Sequence, residues 1–342
     1  MQTSDRPTEH AIEAYYRGLE RFWHAVARAS DVDSHPLPVQ LLGRHVVVAR
    51  LEGRLVALED VCRHLGASLS IGKIVDGGAH LQCRYHGWTY DAGGRVVDIP
   101  ARRGVPIPRE ARVAAYGCQE AYGLVWVCLA QEPAAPLPDY PEHAEPRWRK
   151  TPIRSYPAWS ASAPRIVMAA LDDTHFPWVH PGVLGDPAHP EPPDHEAFRD
   201  GDYLVSRYST LQPANETISG QELSGELETV TYTNWCTPTT IRLRKDGPAG
   251  TYAIYQAMCP VSAERTLVFL QMARDFDLDP GRDQSYLEFE DRIQAQDRPV
   301  IESQRPWLLP PLSARMTLFV RPADLPLIAF QRWLEELGIP QT

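Results

Sequence analysis

The chain has 342 residues, more than a single hydrophobic core usually serves, so we expect two domains. Its 44 acidic and 34 basic residues give a formal net charge of -10, which excludes the basic surface typical of nucleic-acid-binding proteins. The sequence has neither a basic start followed by an apolar segment nor an apolar run of about 20 residues. We therefore expect a cytoplasmic protein that binds neither nucleic acid nor a membrane.

The first half of the chain is predicted to be mainly β-structure. Glu9 to Arg28 carries apolar residues at helical spacing, which predicts an amphipathic N-terminal helix. Apolar stretches then flank a turn at Glu52-Gly53, and Leu124 to Leu129 is another strand-like run. Six prolines between Pro133 and Pro152 disfavour regular structure and indicate a linker. We place the boundary there, between domains at residues 1-140 and 141-342.

The second half mixes helical and strand-like patterns. A short helical stretch around Ile166 to His175 precedes a proline-rich loop, and Tyr203 to Ala273 alternates like antiparallel strands. Phe289 to Gln304 predicts a helix that Pro299 interrupts, and Asp324 to Leu337 predicts another helix. These patterns predict helices and antiparallel strands in one domain.

Two short segments of the first half each pair a cysteine with a histidine. Cys62-x-His64 is followed after eighteen residues by Cys83-x-x-His86, and both pairs lie in loops between strand-like stretches. Thiolates suit iron-sulfur clusters, and replacing two cysteines by neutral histidines raises the reduction potential. A structural zinc site is the alternative, although zinc fingers usually group Cys with Cys and His with His. The pattern therefore favours an iron-sulfur electron carrier.

A second group of metal-binding side chains is expected in the second half. His175 and His180 are five positions apart, and Pro177 breaks the helix between them, so both imidazoles can reach one metal. With a carboxylate they would complete the 2-His-1-carboxylate set of non-haem Fe(II) oxygenases, which leaves coordination positions open for dioxygen. Packed or loop histidines are the alternative.

Several carboxylates compete for the third position of that set. Asp297 is favoured by its position relative to Glu302 and Gln304. Asp291 lies on the same predicted helix and is the main rival, and Glu290 and Glu302 are further possibilities.

Both groups resemble the motifs of one enzyme family. Cys62-Arg63-His64-Leu65-Gly66 and Cys83-Arg84-Tyr85-His86-Gly87-Trp88 resemble the Rieske [2Fe-2S] signature. Asp172-x-x-His175-x4-His180 and the segment from Gln296 to Gln304 resemble the iron-binding motif and the distal ligand helix of Rieske non-haem iron oxygenase α subunits. The sequence looks most like their homotrimeric monooxygenase branch, which includes vanillate, dicamba and methylxanthine demethylases.

The resemblance implies an α+β chain, with an N-terminal all-β Rieske domain and a C-terminal helix-grip domain in which an antiparallel sheet wraps around helices. It also implies a terminal oxygenase that uses dioxygen and external electrons to hydroxylate, or to O- or N-demethylate, a small aromatic or heterocyclic molecule. The implied cofactors and their residues are a [2Fe-2S] cluster on Cys62, His64, Cys83 and His86, and Fe(II) on His175, His180 and Asp297.

Electrons must come from another protein, because the sequence has no glycine-rich dinucleotide fingerprint. An NAD(P)H-dependent reductase or a ferredoxin is therefore expected as a partner. The resemblance further implies a homotrimer in which Asp172 bridges His175 to His86 of a neighbouring subunit. A plain surface carboxylate is the alternative for Asp172. Two other functions stay open, namely ring cis-dihydroxylation and electron transfer without oxygenase activity.

Overall fold

The structure is a computed structural model that describes residues 6–214, 226–314, 318–320 and 322–339. Residues 215–225 of the predicted strand region therefore lie outside the described part. The chain divides into two compact units. One is Glu20–Leu137, and the other combines the chain up to Leu19 with the chain from Pro138 onward. The N-terminal helix thus groups with the second unit.

The unit Glu20–Leu137 is built from two antiparallel sheets. Its strands are β1 His24–Arg28, β2 Leu37–Leu41, β3 Arg44–Leu51, β4 Arg54–Glu59, β5 Lys73–Val75, β6 His80–Gln82, β7 Thr89–Tyr90, β8 Val96–Asp98, β9 Ala115–Ala121 and β10 Leu124–Cys128. A six-stranded sheet has the order β1-β10-β9-β4-β3-β2, and a four-stranded sheet has the order β5-β6-β7-β8.

Local sequence explains why these strands form. The β-branched residues Val46 to Val48 are fully buried in β3, and a two-residue turn at Glu52 and Gly53 connects β3 to β4. Both turn residues have positive φ, 51° and 76°, which suits the twist of a tight hairpin. The core of this unit includes Leu69, Leu81 and Tyr90 together with Cys62 and Cys83. The two cysteines are thus anchored in packed apolar surroundings.

The second unit combines one antiparallel sheet with helices. Its strands are β11 Arg149–Lys150, β12 Arg154–Trp159, β13 Glu196–Asp200, β14 Tyr203–Pro213, β15 Leu227–Thr237, β16 Thr240–Gly247, β17 Gly250–Ser262 and β18 Arg265–Arg274. Its helices are α1 Glu9–Leu19, α2 Pro141–Ala144, α3 Ala163–Leu171, α4 Phe176–Val179, α5 Asp283–Ser303 and α6 Leu325–Glu336.

The sheet of the second unit has the order β11-β18-β17-β16-β15-β14-β13, and β12 also pairs with β18. Strand β17 is almost entirely buried along its length. Helix α5 packs on the sheet, since Tyr286 and Leu287 share a core cluster with Tyr252 and Leu270. The α+β class predicted from the sequence is confirmed. In the described parts of the chain, no helix is both long enough and apolar enough to span a bilayer.

Some predicted helix bounds were wrong. Helix α1 ends at Leu19, and His24–Arg28 instead forms β1, because pairing with β10 satisfies its backbone groups and outweighs its helical pattern. Helix α5 begins at Asp283, earlier than predicted, and continues through Pro299. Arg298 supports the last turn by donating to the Ala158 carbonyl and to Glu302.

Candidate active site

The two Cys–His segments form matching tight turns. The Gly66 amide donates to the Cys62 carbonyl at 2.9 Å, and the Gly87 amide donates to the Cys83 carbonyl at 3.1 Å. Both glycines have positive φ, 76° and 74°, which a side chain would disfavour. The second turn joins β6 to β7, and the Cys83 amide donates to the Trp88 carbonyl at 2.8 Å. The hairpin therefore fixes the position of the second pair.

These turns bring the four predicted cluster residues together. The Nδ1 atoms of His64 and His86 lie 3.1 Å apart, and both imidazoles are exposed. Cys62 and Cys83 are buried, with 3% and 2% of their surfaces accessible. Two buried thiols and two exposed imidazoles suit a two-iron cluster in which one iron takes the sulfur ligands and the other the nitrogen ligands.

Two aromatic residues support this group. The Tyr90 hydroxyl donates to the Cys62 sulfur at 3.1 Å, an interaction that tunes the potential of a cluster. Burial and the hydrogen bond to Cys62 raise the pKa of Tyr90, so its hydroxyl keeps the proton that it donates. The Trp88 ring stacks on His64 with centroids 5.0 Å apart. The sequence alone had not predicted the contact between Tyr90 and Cys62.

A second cluster of ligand atoms lies in the other unit. The structure brings together His175, His180 and Asp297, whose ligand atoms all lie within 4.8 Å of one another. His175 directly precedes α4 and His180 directly follows it, while Asp297 projects from α5. The prediction that Pro177 breaks a helix was wrong. Pro177 lies in the first turn of α4, where a missing amide hydrogen costs little.

Hydrogen bonds orient both imidazoles. His175 Nδ1 lies 3.2 Å from Asp172 Oδ2, and His180 Nδ1 lies 2.8 Å from Gln296 Oε1. This arrangement leaves each Nε2 atom directed toward Asp297, at 3.6 Å from His175 and 2.8 Å from His180. Gln296 was not predicted to have this role, although its position next to Asp297 in the sequence was a usable signal.

The atom that best indicates a metal is His180 Nε2. It is buried and has no hydrogen-bond partner among the residues that the structure describes, although the Asp297 carboxylate is close to it. The nitrogen and the carboxylate oxygen are close to each other but do not form a hydrogen bond. A cation bound by both atoms would give each of them a partner. The arrangement therefore fits a metal ion bound by two imidazoles and one carboxylate.

Asp172 is held as a carboxylate beside His175. It accepts hydrogen bonds from the Thr174 amide at 2.9 Å and the Thr174 hydroxyl at 2.6 Å. Burial alone would raise the pKa of Asp172, but the bonds from His175 and Thr174 lower it below its ordinary value. Burial would likewise lower the pKa of His175, but Asp172 and Asp297 raise it. The local field thus favours an ionised Asp172.

The rival carboxylates have other partners. Asp291 accepts from the Tyr156 hydroxyl at 2.8 Å and pairs with Arg154 at 3.1 Å. Glu302 accepts from the Ser160 amide and pairs with Arg298, both at 2.9 Å. Of the four acidic residues considered, the structure places only Asp297 against both histidines.

The metal-site residues border a cavity of about 70 Å³. Its wall includes apolar side chains from helices and strands, among them Phe176, Leu184, Leu243, Ile254 and Ile293. A larger cleft of about 540 Å³ borders Asp173 and the proline-rich loop, but none of the three candidate ligands lines it. A third pocket, of about 280 Å³, borders Asp172, His175 and Asp297 but not His180, so of these three pockets it is the 70 Å³ cavity that all three candidate ligands line.

Family models match both units of the chain. Residues 22–109 match the Rieske [2Fe-2S] domain, and residues 159–338 match the vanillate O-demethylase oxygenase C-terminal domain. Two proteins of Pseudomonas putida are similar over nearly the whole chain. Methylxanthine N1-demethylase NdmA is 34% identical over 93% of this chain and 89% of its own length. Methylxanthine N3-demethylase NdmB is 31% identical over 94% of this chain and 90% of its own length.

Solved structures agree with these matches. The structure of Pseudomonas putida NdmA with caffeine has a TM-score of 0.83 and 33% identity, covering 95% of this chain and 92% of that one. The structure of dicamba monooxygenase bound to 3,6-dichlorosalicylic acid has a TM-score of 0.80 and covers 93% of this chain and 97% of that one. Its identity is 18%, so that likeness concerns the fold alone.

We expect Asp297→Ala to lose the metal ion of the second unit, because it removes the carboxylate that faces both Nε2 atoms. Asp291→Ala is the matched control on the same helix, and we expect it to keep the metal and lose about 1 to 3 kcal/mol of stability, since it removes a partly exposed ion pair and the acceptor of the Tyr156 hydroxyl. Iron per chain after brief chelation, with thermal unfolding, measures both effects. Metal loss in Asp291→Ala alone would reverse the assignment.

Proposed function

This chain belongs to the Rieske non-haem iron oxygenases with a catalytic domain of the vanillate O-demethylase type, and we propose that it oxidatively demethylates a small heterocyclic or aromatic substrate. The supporting observation is the convergence of His175, His180 and Asp297 on one cavity. N-demethylation of a heterocycle is favoured, because similarity to two methylxanthine demethylases extends over both domains.

We assign the two metal centres to the residues that fit them. Cys62, Cys83, His64 and His86 would hold the [2Fe-2S] cluster, and His175, His180 and Asp297 would hold Fe(II). When bound, the cluster would supply single electrons, and Fe(II) would supply open coordination positions for activating dioxygen. The exposed imidazoles support this assignment, since they form the face of the cluster residues that a partner protein can approach.

The protein's own residues prepare the reaction. Asp172 and Gln296 hold the Nδ1 atoms of the two imidazoles, so that both Nε2 atoms remain available as ligands. Leu184, Ile293 and Phe176 pack together beside the site and give the cavity an apolar wall. Hydroxylation of an N-methyl carbon in this cavity would give a hemiaminal. The hydroxyl proton of the hemiaminal then moves to the nitrogen as the C–N bond breaks and the C=O bond forms, which releases formaldehyde and the N–H product.

Electrons for this reaction would come from a separate NAD(P)H-dependent reductase or a ferredoxin. We also propose a cytoplasmic location, because NAD(P)H is supplied there. The exposed surface around the cluster residues includes Leu65 and Tyr85, which are 66% and 65% accessible. Large exposed apolar side chains at this position support protein docking, because a bound partner would remove them from water.

We further propose a homotrimer in which Asp172 connects two subunits. Asp172 Oδ2 lies 3.2 Å from His175 Nδ1, whereas Oδ1 accepts both bonds from Thr174. A carboxylate can accept several hydrogen bonds at once, so it can also accept one from His86 of a neighbouring subunit. Electrons would then pass from the cluster of one chain to the iron of the next.

Metal analysis tests the two centres separately. The purified protein should be red-brown, with about three irons and about two labile sulfides per chain. We expect Cys83→Ser to abolish the colour, because a thiolate ligand is lost. His175→Ala should keep the colour and the sulfide but lose one iron, since its imidazole lies in the other unit. Zinc without labile sulfide in the wild-type protein would contradict both assignments.

Product analysis tests the demethylase function. With an electron-transfer partner and NAD(P)H, we expect N-methyl heterocycles or aromatic methyl ethers to yield formaldehyde and the demethylated compound in equal amounts. Asp297→Ala serves as the control that should release none. A cis-diol product without formaldehyde would indicate ring dihydroxylation instead. Cluster reduction without oxygen uptake on any tested substrate would indicate an electron-transfer protein.

Mixed trimers test transfer between subunits. His86→Ala and His175→Ala chains should each be inactive alone, because one lacks a cluster ligand and the other an iron ligand. Co-assembled trimers should regain partial activity, since some interfaces pair an intact cluster with an intact iron site. Asp172→Asn should retain both centres yet lose turnover. If verified mixed trimers recover no activity, electrons do not pass between subunits, and Asp172 acts only within its own subunit.

A further inference from the structure

A lysine and a glutamate lie in the wall of the cavity that contains the metal-site residues. Lys245 belongs to β16 and Glu290 to α5, and both line this cavity. Their exposed fractions are only 4% and 2%. The proposed metal centres use neither residue. Two buried ionisable groups beside the reaction site therefore need another explanation.

Lys245 has unused hydrogen-bonding capacity. Its Nζ lies 5.5 Å and 5.7 Å from the ring centroids of Tyr232 and Tyr252. Within the described residues, Nζ makes neither a hydrogen bond nor an ion pair at contact distance. Burial lowers the pKa of Lys245, while the charge of Glu290 opposes that shift. Nζ therefore has unused donors at the cavity wall, and a bound ligand that supplies an acceptor would satisfy one of them.

Glu290 can accept further hydrogen bonds, whereas Lys245 can donate them. One of its oxygens accepts from the Tyr252 hydroxyl at 3.3 Å. A carboxylate has further lone pairs and only accepts, whereas an ammonium group only donates. A ligand that satisfies both residues must therefore present an acceptor for Lys245 and a donor for Glu290. A lactam edge, with a carbonyl next to an N–H, presents both.

The other groups in the cavity favour a neutral ligand over an anion. A substrate carboxylate beside Lys245 would also lie close to the Glu290 carboxylate, which lines the same cavity. Like charges repel strongly where water is excluded. Gln256 and Gln294 also line the wall and are 6% and 7% exposed. Their amides offer further neutral hydrogen bonds to a polar ring.

We propose that Lys245 and Glu290 form a recognition site for a neutral heterocycle with an unsubstituted lactam. Lys245 donates to the lactam carbonyl oxygen, and the lactam N–H donates to Glu290. This proposal rests on the proposed function, which it deepens by naming the substrate class. Because the pair and the metal-site residues line one cavity, binding of the lactam edge determines which methyl group faces His175 and His180.

Equilibrium binding to the full-length holoprotein tests the proposal without turnover. The probes are three N-methyl heterocycles of matched size, one with a free lactam N–H, one methylated at that nitrogen, and one with a carboxylate in place of the lactam. We expect the free lactam to bind at least about tenfold more tightly than either analogue, because the analogues leave a buried group unpaired. Calorimetry measures the three affinities.

Variants assign the preference to the two residues. Glu290→Gln should reduce the preference for the free lactam over its N-methyl analogue to less than about threefold, because the charge-assisted bond is lost. Lys245→Met should weaken both lactams similarly, since both carry the carbonyl. Glu288→Gln is the matched control, because Glu288 pairs with Gln284 on the exposed side of the same helix. It should retain the wild-type ranking.

The outcomes separate this proposal from the proposed function. Tighter binding of the carboxylate, equal binding of all three probes, or no binding of any probe would each overturn the lactam site. So would an unchanged free-lactam preference in Glu290→Gln, or unchanged affinity for both lactams in Lys245→Met. Formaldehyde release could still occur in all those cases. A free-lactam preference that Glu290→Gln removes, with weaker binding of both lactams to Lys245→Met and no formaldehyde release from any probe, would support the site and contradict only the demethylase function.

Discussion

The catalytic unit depends on the two hydrogen bonds that hold the Nδ1 atoms of His175 and His180. Without them, either imidazole could rotate and offer the wrong nitrogen. Asp172 and Gln296 prevent this, and both Nε2 atoms then face Asp297. The short helix between the histidines and the long helix that carries Asp297 are needed to place these atoms. The geometry of the site thus depends on these supporting hydrogen bonds as well as on the candidate ligands themselves.

The cluster residues are positioned on a different principle. In the first unit, tight turns closed by Gly66 and Gly87 present the imidazoles to solvent, while the paired thiols join the apolar core. Backbone hydrogen bonds within the turns fix the positions of the cluster residues, whereas side-chain hydrogen bonds orient the imidazoles of the catalytic unit. The difference suits the two tasks, since an electron carrier needs access for a partner and an oxygenase site needs a cavity beside its ligands for the substrate.

The sequence could predict features whose residues lie close together in the chain. The two Cys–His segments, the paired histidines and the alternation of strands are such features, and they sufficed for the fold class and the family. The start of α5 at Asp283 and the strand at His24–Arg28 were missed, because tertiary pairing outweighed local pattern. Lys245 and Glu290 could not be connected either, since only the folded sheet and helix place both in one wall.

Helix α5 carries Glu290, Gln294 and Asp297 at spacings of four and three residues, which places them on one face. Substrate recognition and metal binding are therefore mechanically linked, and a substitution that tilts this helix changes both together. The facing strands carry cavity residues such as Leu243 and Ile254 but none of the candidate ligands. A substitution at Leu243 or Ile254 should therefore reshape the cavity wall without displacing a candidate ligand.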